Sequence, residues 1–364
     1  MGLSQRAVSA EPFHAMAFGQ RAAELEADGH RVIKLSLGEP DFGAPPAVRD
    51  AMRAAMDGRP LPYTAALGLP ELRHAIADFY LHRHGVTIDP GRIVVTSGAS
   101  CALLLAVAAT TEPGDEVIMA DPSYPCNREL VRSFGGRVVS VPTSVQSRYQ
   151  LDSASVAGAW TARTTAVMVA TPSNPTGTSI PFDELAAICE FARSRDAWRI
   201  VDEIYLELAD PQADGRPAST VLSVDPDAIV INSFSKYFGM TGWRLGWAVV
   251  PERMVAPGER LAKNYFLCAS APAQQAALAA FDPESLGECE RRRAELQVRR
   301  RIVLEGLAAI GLPVPVTPDG AFYVYFDVSG IGLGAWDFCD RALAQAHVSL
   351  TPGKDFGVAT ADTH

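Results

Sequence analysis

Residues 228–244 decide the fold of this chain, and they read AIVINSFSKYFGMTGWR. The first part of the stretch is apolar and β-branched, which is typical of a strand buried on both faces of a sheet. Lys236 follows the predicted strand, a glycine-rich turn comes next, and Arg244 lies eight residues beyond the lysine. In open α/β sheets, ligands bind just outside the carboxyl ends of the strands. The stretch therefore predicts that Lys236 and Arg244 lie at a ligand-binding edge.

Short β-branched runs alternate with helical patterns over about 92–250. The predicted strands are Arg92–Thr96, Glu116–Ala120, Arg137–Val141, Thr165–Ala170, Arg199–Asp202, Ala228–Asn232 and Leu245–Val250. Helices are predicted between them at Ser100–Thr110, Asn127–Phe134 and Phe182–Arg195. Because strands and helices alternate, the expected fold class is α/β with a mostly parallel seven-stranded sheet.

The pattern changes after Val250 and predicts a second, smaller α+β unit. Leu286–Ile310 is long, arginine-rich and apolar at helical spacing, and Ala321–Val328 is predicted to be a strand. The N-terminal stretch is expected to pack with this unit. We therefore predict a large domain over residues 44–281 and a small domain formed by residues 1–43 and 282–364.

Composition excludes several classes of protein for this 364-residue chain. Its formal net charge of −10 argues against a nucleic-acid binder, which usually carries a basic face. The six cysteines form no Cys-x-x-Cys pair, so we expect no zinc site and no disulfide framework, but a reduced cytoplasmic location. No signal peptide is evident, and the longest apolar run, Ala102–Ala109, is far shorter than the roughly 20 residues of a membrane span.

Lys236 and Arg244 are types of residue that bind and activate an anionic, carbonyl-bearing ligand. A lysine amine that is desolvated or close to other cations loses its proton more readily and becomes a nucleophile. An arginine can bind a phosphate with two parallel hydrogen bonds, and Ser233 and Ser235 could add hydroxyl donors. The alternative is an ordinary surface lysine beside a salt-bridged arginine, and for a lone lysine that interpretation is the more common one.

Three other segments strengthen the functional interpretation. Ser97-Gly98-Ala99-Ser100 follows one strand and begins a helix, whose free backbone N–H groups form an anion site. Asn174 follows another strand in an Asn-Pro-Thr-Gly turn and could donate to a ring oxygen. Asp202 ends a third strand, and a carboxylate there could keep a pyridine nitrogen protonated, with Tyr205 a short step further on. Each segment alone is also explained by packing or by a turn.

Taken in order, these motifs resemble the class I/II pyridoxal-phosphate (PLP)-dependent aminotransferases of fold type I. The resemblance rests on Asn174-Pro-Thr-Gly177, Asp202-x-x-Tyr205, Ser233-x-Ser-Lys236 and Arg244. It extends to Gly38-Glu-Pro-Asp-Phe42, Pro62-Tyr-Thr64, Gly68-x-Pro-Glu-Leu-Arg73 and Gly320-Ala-Phe-Tyr323, and so covers nearly the whole chain. The chain looks most similar to the bacterial aspartate-aminotransferase-like branch.

The resemblance implies a role for each matching residue. Lys236 is then the Schiff-base lysine and proton shuttle, Asp202 the partner of the pyridine nitrogen, and Tyr205 with Asn174 the contacts of the phenolic oxygen. The phosphate would be held by a set of residues from three segments: Gly98, Ala99, Ser100, Ser233, Ser235 and Arg244. Tyr124 would stack on the cofactor ring, Tyr63 would reach the partner's phosphate across a homodimer interface, and Gly38 would meet the substrate carboxylate, close to Asn174.

The implied reaction is a ping-pong transfer of an amino group from an α-amino acid to a 2-oxo acid. Two alternatives use the same cofactor residues: a β-elimination lyase and an ACC-synthase-like enzyme. A non-enzymatic effector-sensing domain is a third, although such regulators carry a DNA-binding domain for which no room exists before Gly38. The sequence does not name the amino donor.

The end of the chain departs from the family pattern. In relatives, a segment like Pro352–Gly357 is soon followed by a strand whose arginine binds the substrate carboxylate, and here the sequence ends at His364. Either the sequence belongs to a longer protein, which we favour, or substrate binding is altered.

Three further patterns have simpler explanations. His82-x-His84 has no other ligand motif, so no metal site is expected. The arginine-rich stretch 291–301 carries apolar and acidic residues that indicate a solvated amphipathic helix. Phe322 and Tyr323 are expected to pack in a strand, although Tyr323 could approach the substrate.

Overall fold

A seven-stranded β-sheet lies at the centre of the computed structural model, which describes residues 2–312 and 314–364. The strands of the described chain are β1 (Ile33–Lys34), β2 (Ile93–Thr96), β3 (Glu116–Asp121), β4 (Arg137–Pro142), β5 (Thr164–Ala170), β6 (Trp198–Asp202), β7 (Ile229–Ser233), β8 (Gly246–Val249) and β9 (Val348–Ser349). The large sheet has the order β2-β8-β7-β6-β5-β3-β4. Each of its strands lies within one residue of its predicted bounds, so the predicted fold class is confirmed.

The direction of the strands brings the carboxyl ends of six of them to one edge. β8 runs antiparallel to β2 and to β7, whereas β3, β4, β5, β6 and β7 pair in parallel. The carboxyl ends of β2, β3, β4, β5, β6 and β7 therefore share an edge. The polar segments that the sequence places after these strands all begin there.

Alternation of apolar side chains explains why the strands are continuous apolar runs. In β7, Val230 belongs to the hydrophobic cluster on one face, whereas Ile229 and Ile231 belong to the cluster on the other. In β2, Val94 likewise faces away from Ile93 and Val95. Burial on both faces requires apolar residues at every position, as in parallel sheets covered by helices.

Helices cover both faces of the large sheet. The helices of the described chain are α1 (Gln5–Ser9), α2 (His14–Ala27), α3 (Pro46–Ala55), α4 (Pro70–His84), α5 (Ala99–Thr110), α6 (Pro125–Ser133), α7 (Ser153–Ala159), α8 (Phe182–Arg193), α9 (Glu252–Tyr265), α10 (Ala271–Ala277), α11 (Pro283–Ala309) and α12 (Ala335–Ala346). Leu72 of α4 and Leu185 of α8 pack on one face, and Leu103 of α5 and Met254 of α9 on the other. The result is a three-layer α/β/α arrangement around the large sheet.

The N-terminal and C-terminal segments pack together. β1 pairs in parallel with β9, and Phe18 and Ala22 of α2 form one cluster with Cys339 and Leu343 of α12. The Asp355 carboxylate accepts hydrogen bonds from the first N–H groups of α2, at 2.8 and 2.7 Å, and so caps that helix. The predicted division at residues 43/44 and 281/282 stays a prediction.

The strand predicted over Ala321–Val328 is wrong. Ala321 and Phe322 lie in a turn, with Ala321 at a positive φ of 54°, and no strand is assigned over the following residues. The apolar alternation is present, but within the described chain the segment has no ladder partner. Its backbone instead makes isolated hydrogen bonds, such as the one from the Val328 N–H to the Thr363 carbonyl at 2.8 Å.

The arginine-rich stretch forms part of α11, as predicted, but several of its arginines are less solvated than expected. Arg292 and Arg300 are largely buried, and Arg300 binds the Asp210 carboxylate at 2.6 Å. Arg299 pairs with Asp41 at 2.8 Å. The arginines therefore attach α11 to the segment that follows β6 and to the N-terminal segment.

Other expectations concern location and redox state. No helix of the described residues is both long and apolar enough to cross a membrane. The six cysteines are free in the part of the chain that the structure describes. The cytoplasmic location stays a prediction.

A buried cluster of charges joins the end of α4 to α11. His84 Nε2 lies 2.9 Å from the Glu207 carboxylate and its Nδ1 lies 3.1 Å from the Ala218 carbonyl, so both ring nitrogens face acceptors. Arg83 binds Glu207 and also Glu290, at 2.8 Å for the latter. Burial opposes the charge on His84, but Glu207 outweighs it and raises the pKa of the imidazole. The charged form of the buried His84 side chain is therefore stabilised, and both of its ring nitrogens are engaged by groups of the protein.

Removing this cation should make the protein less stable in a pH-dependent way. We expect His84→Leu to lower the free energy of unfolding by about 2–4 kcal/mol near pH 6, because Glu207 loses one of its two cations. The folded-state pKa of His84 lies above its unfolded value of about 6.5, so its contribution is complete below that pH. The contribution is lost as the pH rises through the folded-state pKa, and urea unfolding at pH 6 and pH 9 measures the difference.

His82→Leu is the matched control, since His82 is exposed on the same helix end. It should change the free energy of unfolding by less than about 0.5 kcal/mol. Two results would contradict a charged, buried His84: equal destabilisation by both variants, or a destabilisation by His84→Leu that increases with pH.

Candidate active site

Lys236 lies just past β7, where the predicted site residues meet at the sheet edge. Its Nζ donates to the Gly38 carbonyl at 2.6 Å and lies 5.9 Å from the centres of the Tyr205 and Phe322 rings. Asp202 ends the neighbouring β6, where it pairs with Ile231 of β7. Adjacent parallel strands thus bring an amine, a carboxylate and a phenol to one edge of the sheet, and the roles assigned to them stay predictions.

The environment of Lys236 makes its amine lose the proton more readily than an ordinary lysine does. Burial lowers the pKa of the amine to about 8, and the Arg244 charge acts in the same direction. Glu39 and Asp202 oppose this, but they do not restore the ordinary value. An amine with this pKa is partly deprotonated near neutral pH and can act as a nucleophile.

Asp202 shows the opposite shift for the same reason. Its side chain is buried, and burial raises the pKa of the carboxyl to about 7, although the Ile204 N–H and the Lys236 charge oppose the rise. The Asp202 carboxylate accepts a hydrogen bond from the Ile204 N–H at 3.1 Å. No salt bridge to Asp202 occurs among the described residues, so a cationic ring N–H would be a stabilising partner.

Tyr205 and Tyr323 form a pair of hydrogen-bonded hydroxyl groups next to Lys236. Their rings meet edge to face, 5.4 Å apart at 81°. Burial is the main cause that raises the pKa of both phenols, so both stay protonated at neutral pH. The sequence assigned Tyr323 chiefly to packing. Its position directly after Gly320-Ala-Phe, in a motif shared with the family, was the signal that could have placed it here.

The start of α5 forms an anion-binding cradle with Arg244. Gly98 precedes the helix at a φ of +83°, and no side chain caps its first N–H groups, those of Ala99 and Ser100. A Cβ atom added at Gly98 would lie 2.5 Å from Arg244 Nη2, so the guanidinium lies directly against the backbone. Helix N–H groups and a guanidinium in one place are suited to a phosphate.

The two predicted serines differ in what their hydroxyl groups do. Ser233 Oγ donates to the Leu245 carbonyl at 3.3 Å and accepts from the Ser235 N–H at 3.0 Å. It therefore stabilises the turn itself. The Ser235 hydroxyl has no recorded hydrogen bond in the described chain and is the better placed of the two to bind a ligand.

Asn174, Tyr124 and Tyr63 complete the predicted set. The Asn174 Oδ1 atom is buried and has no hydrogen-bond partner among the described residues, an uncommon state that a hydrogen-bond donor on a ligand would relieve. Tyr124 lies at the start of α6, with its ring edge to face with that of Phe13 at 6.4 Å. The Tyr63 side chain is 80% exposed, and the described contacts do not bring it to Lys236.

Gly38 provides the room on which the tyrosine pair depends. A Cβ atom added there would lie 2.2 Å from Tyr323 Oη. We therefore expect Gly38→Ala to displace Tyr323 and to lower the free energy of unfolding by about 1–3 kcal/mol, the usual cost of overpacking. Gly43→Ala is the control, because a Cβ atom there meets nothing within 4 Å. Equal stability of the two variants in thermal unfolding would mean that the tyrosine moves without cost.

The chain resembles known aminotransferases along its whole length. The family described as Aminotransferase class I and II matches residues 30–363. The valine–pyruvate aminotransferase of Mycobacterium tuberculosis is 41% identical over 349 residues, which cover 96% of this chain and 89% of that protein.

Two solved structures show the same fold. The crystal structure of an aminotransferase from M. tuberculosis has a TM-score of 0.95 at 39% identity and covers 100% of this chain and 93% of that one. The aspartate aminotransferase of Thermus thermophilus with maleate has a TM-score of 0.92 at 34% identity, with coverage of 98% and 92%. The chain therefore belongs to the class I and II aminotransferase family, and it is an aminotransferase.

Proposed function

We propose that this aminotransferase uses PLP, held by Lys236, to move an amino group from an apolar α-amino acid to a 2-oxo acid in two half-reactions. The observation that carries the proposal is the buried amine of Lys236 itself. Its pKa is lowered to about 8, and it lies beside Asp202 and Tyr205 at the carboxyl edge of the sheet.

The residues of the site fit each part of the cofactor. The Ala99 and Ser100 N–H groups and the Arg244 guanidinium suit the phosphate, with Ser235 as a further donor. The buried Asn174 Oδ1 atom has no partner in the described chain, so a hydrogen-bond donor on the ligand would satisfy it, and the N–H groups of the same amide could donate to a ring oxygen. Asp202 is a buried carboxylate without a salt bridge in the described chain, as a pyridinium partner requires.

The side chains would then divide the work of the reaction. PLP, when bound, supplies an electron sink for the substrate α-carbon. Asp202 keeps the ring nitrogen protonated, and Tyr205 and Asn174 bind the phenolic oxygen. Lys236 holds the cofactor and, once released, carries a proton to and from the substrate α-carbon, which combines proximity with general-base catalysis. The backbone of Gly38 would contact the substrate carboxylate, and Tyr124 would stack on the cofactor ring.

Replacement of Lys236 tests the cofactor assignment. Purified protein incubated with PLP should develop a visible absorption band that survives gel filtration, and Lys236→Ala should remove that band because the covalent link is lost. Lys263→Ala is the matched control, since Lys263 is a half-exposed lysine paired with Glu259 on α9. An unchanged spectrum in Lys236→Ala would overturn the assignment.

The surroundings of Gly38 support an apolar amino donor. Leu37 precedes Gly38, and its side chain is 43% exposed. Among the described residues, Lys236 donates to the Gly38 carbonyl and Arg244 lies in the phosphate cradle, so neither is free for a second carboxylate on the donor. An aliphatic side chain needs no cationic partner and could pack on Leu37. The similarity to the valine–pyruvate aminotransferase supports the same choice.

A half-reaction panel tests this donor class. With PLP-loaded protein, valine and leucine should convert the visible band at least about tenfold faster than aspartate, equal to about 1.4 kcal/mol in the barrier. Pyruvate should then restore the band. Leu37→Ala should slow valine more than Ile33→Ala does, because Ile33 lies further from Gly38 on the same segment. Fastest conversion by aspartate would contradict the proposal.

A homodimer stays part of the proposal. Tyr63 is a large side chain with most of its surface exposed, and a partner subunit would cover it. Sedimentation of the chain as a monomer at micromolar concentration would count against it.

A further inference from the structure

Tyr323 lies at the junction of three parts of the site. Its hydroxyl group hydrogen-bonds the hydroxyl group of Tyr205. The same atom occupies the space over Gly38, where a Cβ atom would approach it to 2.2 Å. Gly38 in turn accepts a hydrogen bond from Lys236 Nζ at 2.6 Å. Tyr323 therefore links the phenol that faces the cofactor site with the backbone that contacts the lysine.

The backbone that carries Tyr323 is fixed to the turn that carries Asn174. The N–H groups of Asp319 and Gly320 both donate to the Gly177 carbonyl, at 3.0 and 2.9 Å. A Cβ atom at Gly177 would lie 2.8 Å from the Tyr323 carbonyl oxygen, so the two turns touch. A residue held this firmly can orient another group without contacting the cofactor.

The number of protons decides which hydroxyl group of the pair donates the hydrogen bond. Each phenol has one proton to donate, and one hydrogen bond joins them. If Tyr205 donated to Tyr323, Tyr205 would have no proton left for a ring oxygen. If Tyr323 donates, the proton of Tyr205 is free to point at the ligand. The hydrogen bonds recorded for the described residues give Tyr323 no acceptor other than Tyr205.

We propose that Tyr323 is a positioning residue, whose hydroxyl group donates to Tyr205 and thereby directs the Tyr205 proton to the phenolic oxygen of the cofactor. This rests on the proposed function of the site. Hydrogen bonds in a chain polarise one another, so Tyr205 becomes a stronger donor when it accepts from Tyr323.

The consequence can be read in a titration of the cofactor. Donation to the ring oxygen matters most when the nitrogen that joins Lys236 to the cofactor has lost its proton, because the oxygen then carries a negative charge without an internal partner. The Tyr205 contact therefore favours loss of that proton. Weakening the contact between Tyr205 and the ring oxygen should therefore raise the apparent pKa that a titration of the visible band gives.

The experiment is a pH titration of the visible band in PLP-loaded wild type, Tyr323→Phe, Tyr205→Phe and the double variant. We expect Tyr323→Phe to raise the apparent pKa by roughly half a pH unit to one, a three- to tenfold tighter hold on the proton. Tyr205→Phe should raise it further. The double variant should match Tyr205→Phe alone, because Tyr323 acts through Tyr205.

A role in packing alone predicts a different result. Tyr323→Phe removes only an oxygen, so the ring contacts remain, and the band of this variant should then titrate as in the wild type. Tyr325→Phe is the matched control: its hydroxyl group binds Thr360 Oγ1 at 2.6 Å, and its loss should leave the titration unchanged.

Two outcomes overturn the proposal: no change in Tyr323→Phe, or a change that adds in full to that of Tyr205→Phe, which would mean direct contact with the cofactor. Failure of the proposed function is distinguishable, because the wild type would then show no PLP band that depends on Lys236.

Discussion

Burial of an amine and a carboxylate at one edge of the sheet is the constraint on which this site depends. Removal from water disfavours the charge on each group, so the pKa of Lys236 falls to about 8 and that of Asp202 rises to about 7. The two groups cannot satisfy each other fully, since Lys236 donates to the Gly38 carbonyl and Asp202 accepts from the Ile204 N–H. Each keeps unused capacity for a ligand, and a cationic ring beside Asp202 with a reactive carbonyl at Lys236 would use both.

The sheet keeps this arrangement in place because its rigid strands bring the groups together before any ligand binds. β6 and β7 are buried on both faces, and their register places Asp202 beside Ile231. Side chains just past these strands therefore have little freedom to separate. The phosphate cradle follows the same logic, since β2 leads into α5 and β8 carries Gly246 against the Ala99 nitrogen, where a Cβ atom would lie only 2.8 Å away. Preorganisation of this kind lowers the entropy lost on binding.

How much the sequence predicts depends on whether a feature is local. The strands were predictable because two-sided burial leaves an apolar run in the sequence. Asp202 and Lys236 were predictable because they lie at or just after the end of such a run, and Arg244 because it follows the glycine-rich turn after Lys236. Ala321–Val328 has the same composition but no ladder partner in the described chain, and composition does not reveal partners. His84 was equally hidden, because the acid that charges it, Glu207, lies 123 residues away. The serine hydroxyls were predicted as a pair, although only the fold shows that Ser233 is engaged by a carbonyl.

The pair of Tyr205 and Tyr323 shows that contacts between distant parts of the sequence fix side-chain positions which the sequence motifs alone do not reveal. Tyr205 comes from the end of a strand, Gly38 from the N-terminal segment and Tyr323 from near the other end of the chain. Their contact requires that Gly38 has no side chain, so one missing Cβ atom sets the distance between distant parts of the sequence. The backbone segment of Tyr205 is also attached to α11, because Glu207 binds Arg83, which in turn binds Glu290 of α11, and because Asp210 binds Arg300 of the same helix. The tyrosine that faces the cofactor site therefore lies in a segment whose position is fixed by buried ion pairs as well as by the sheet.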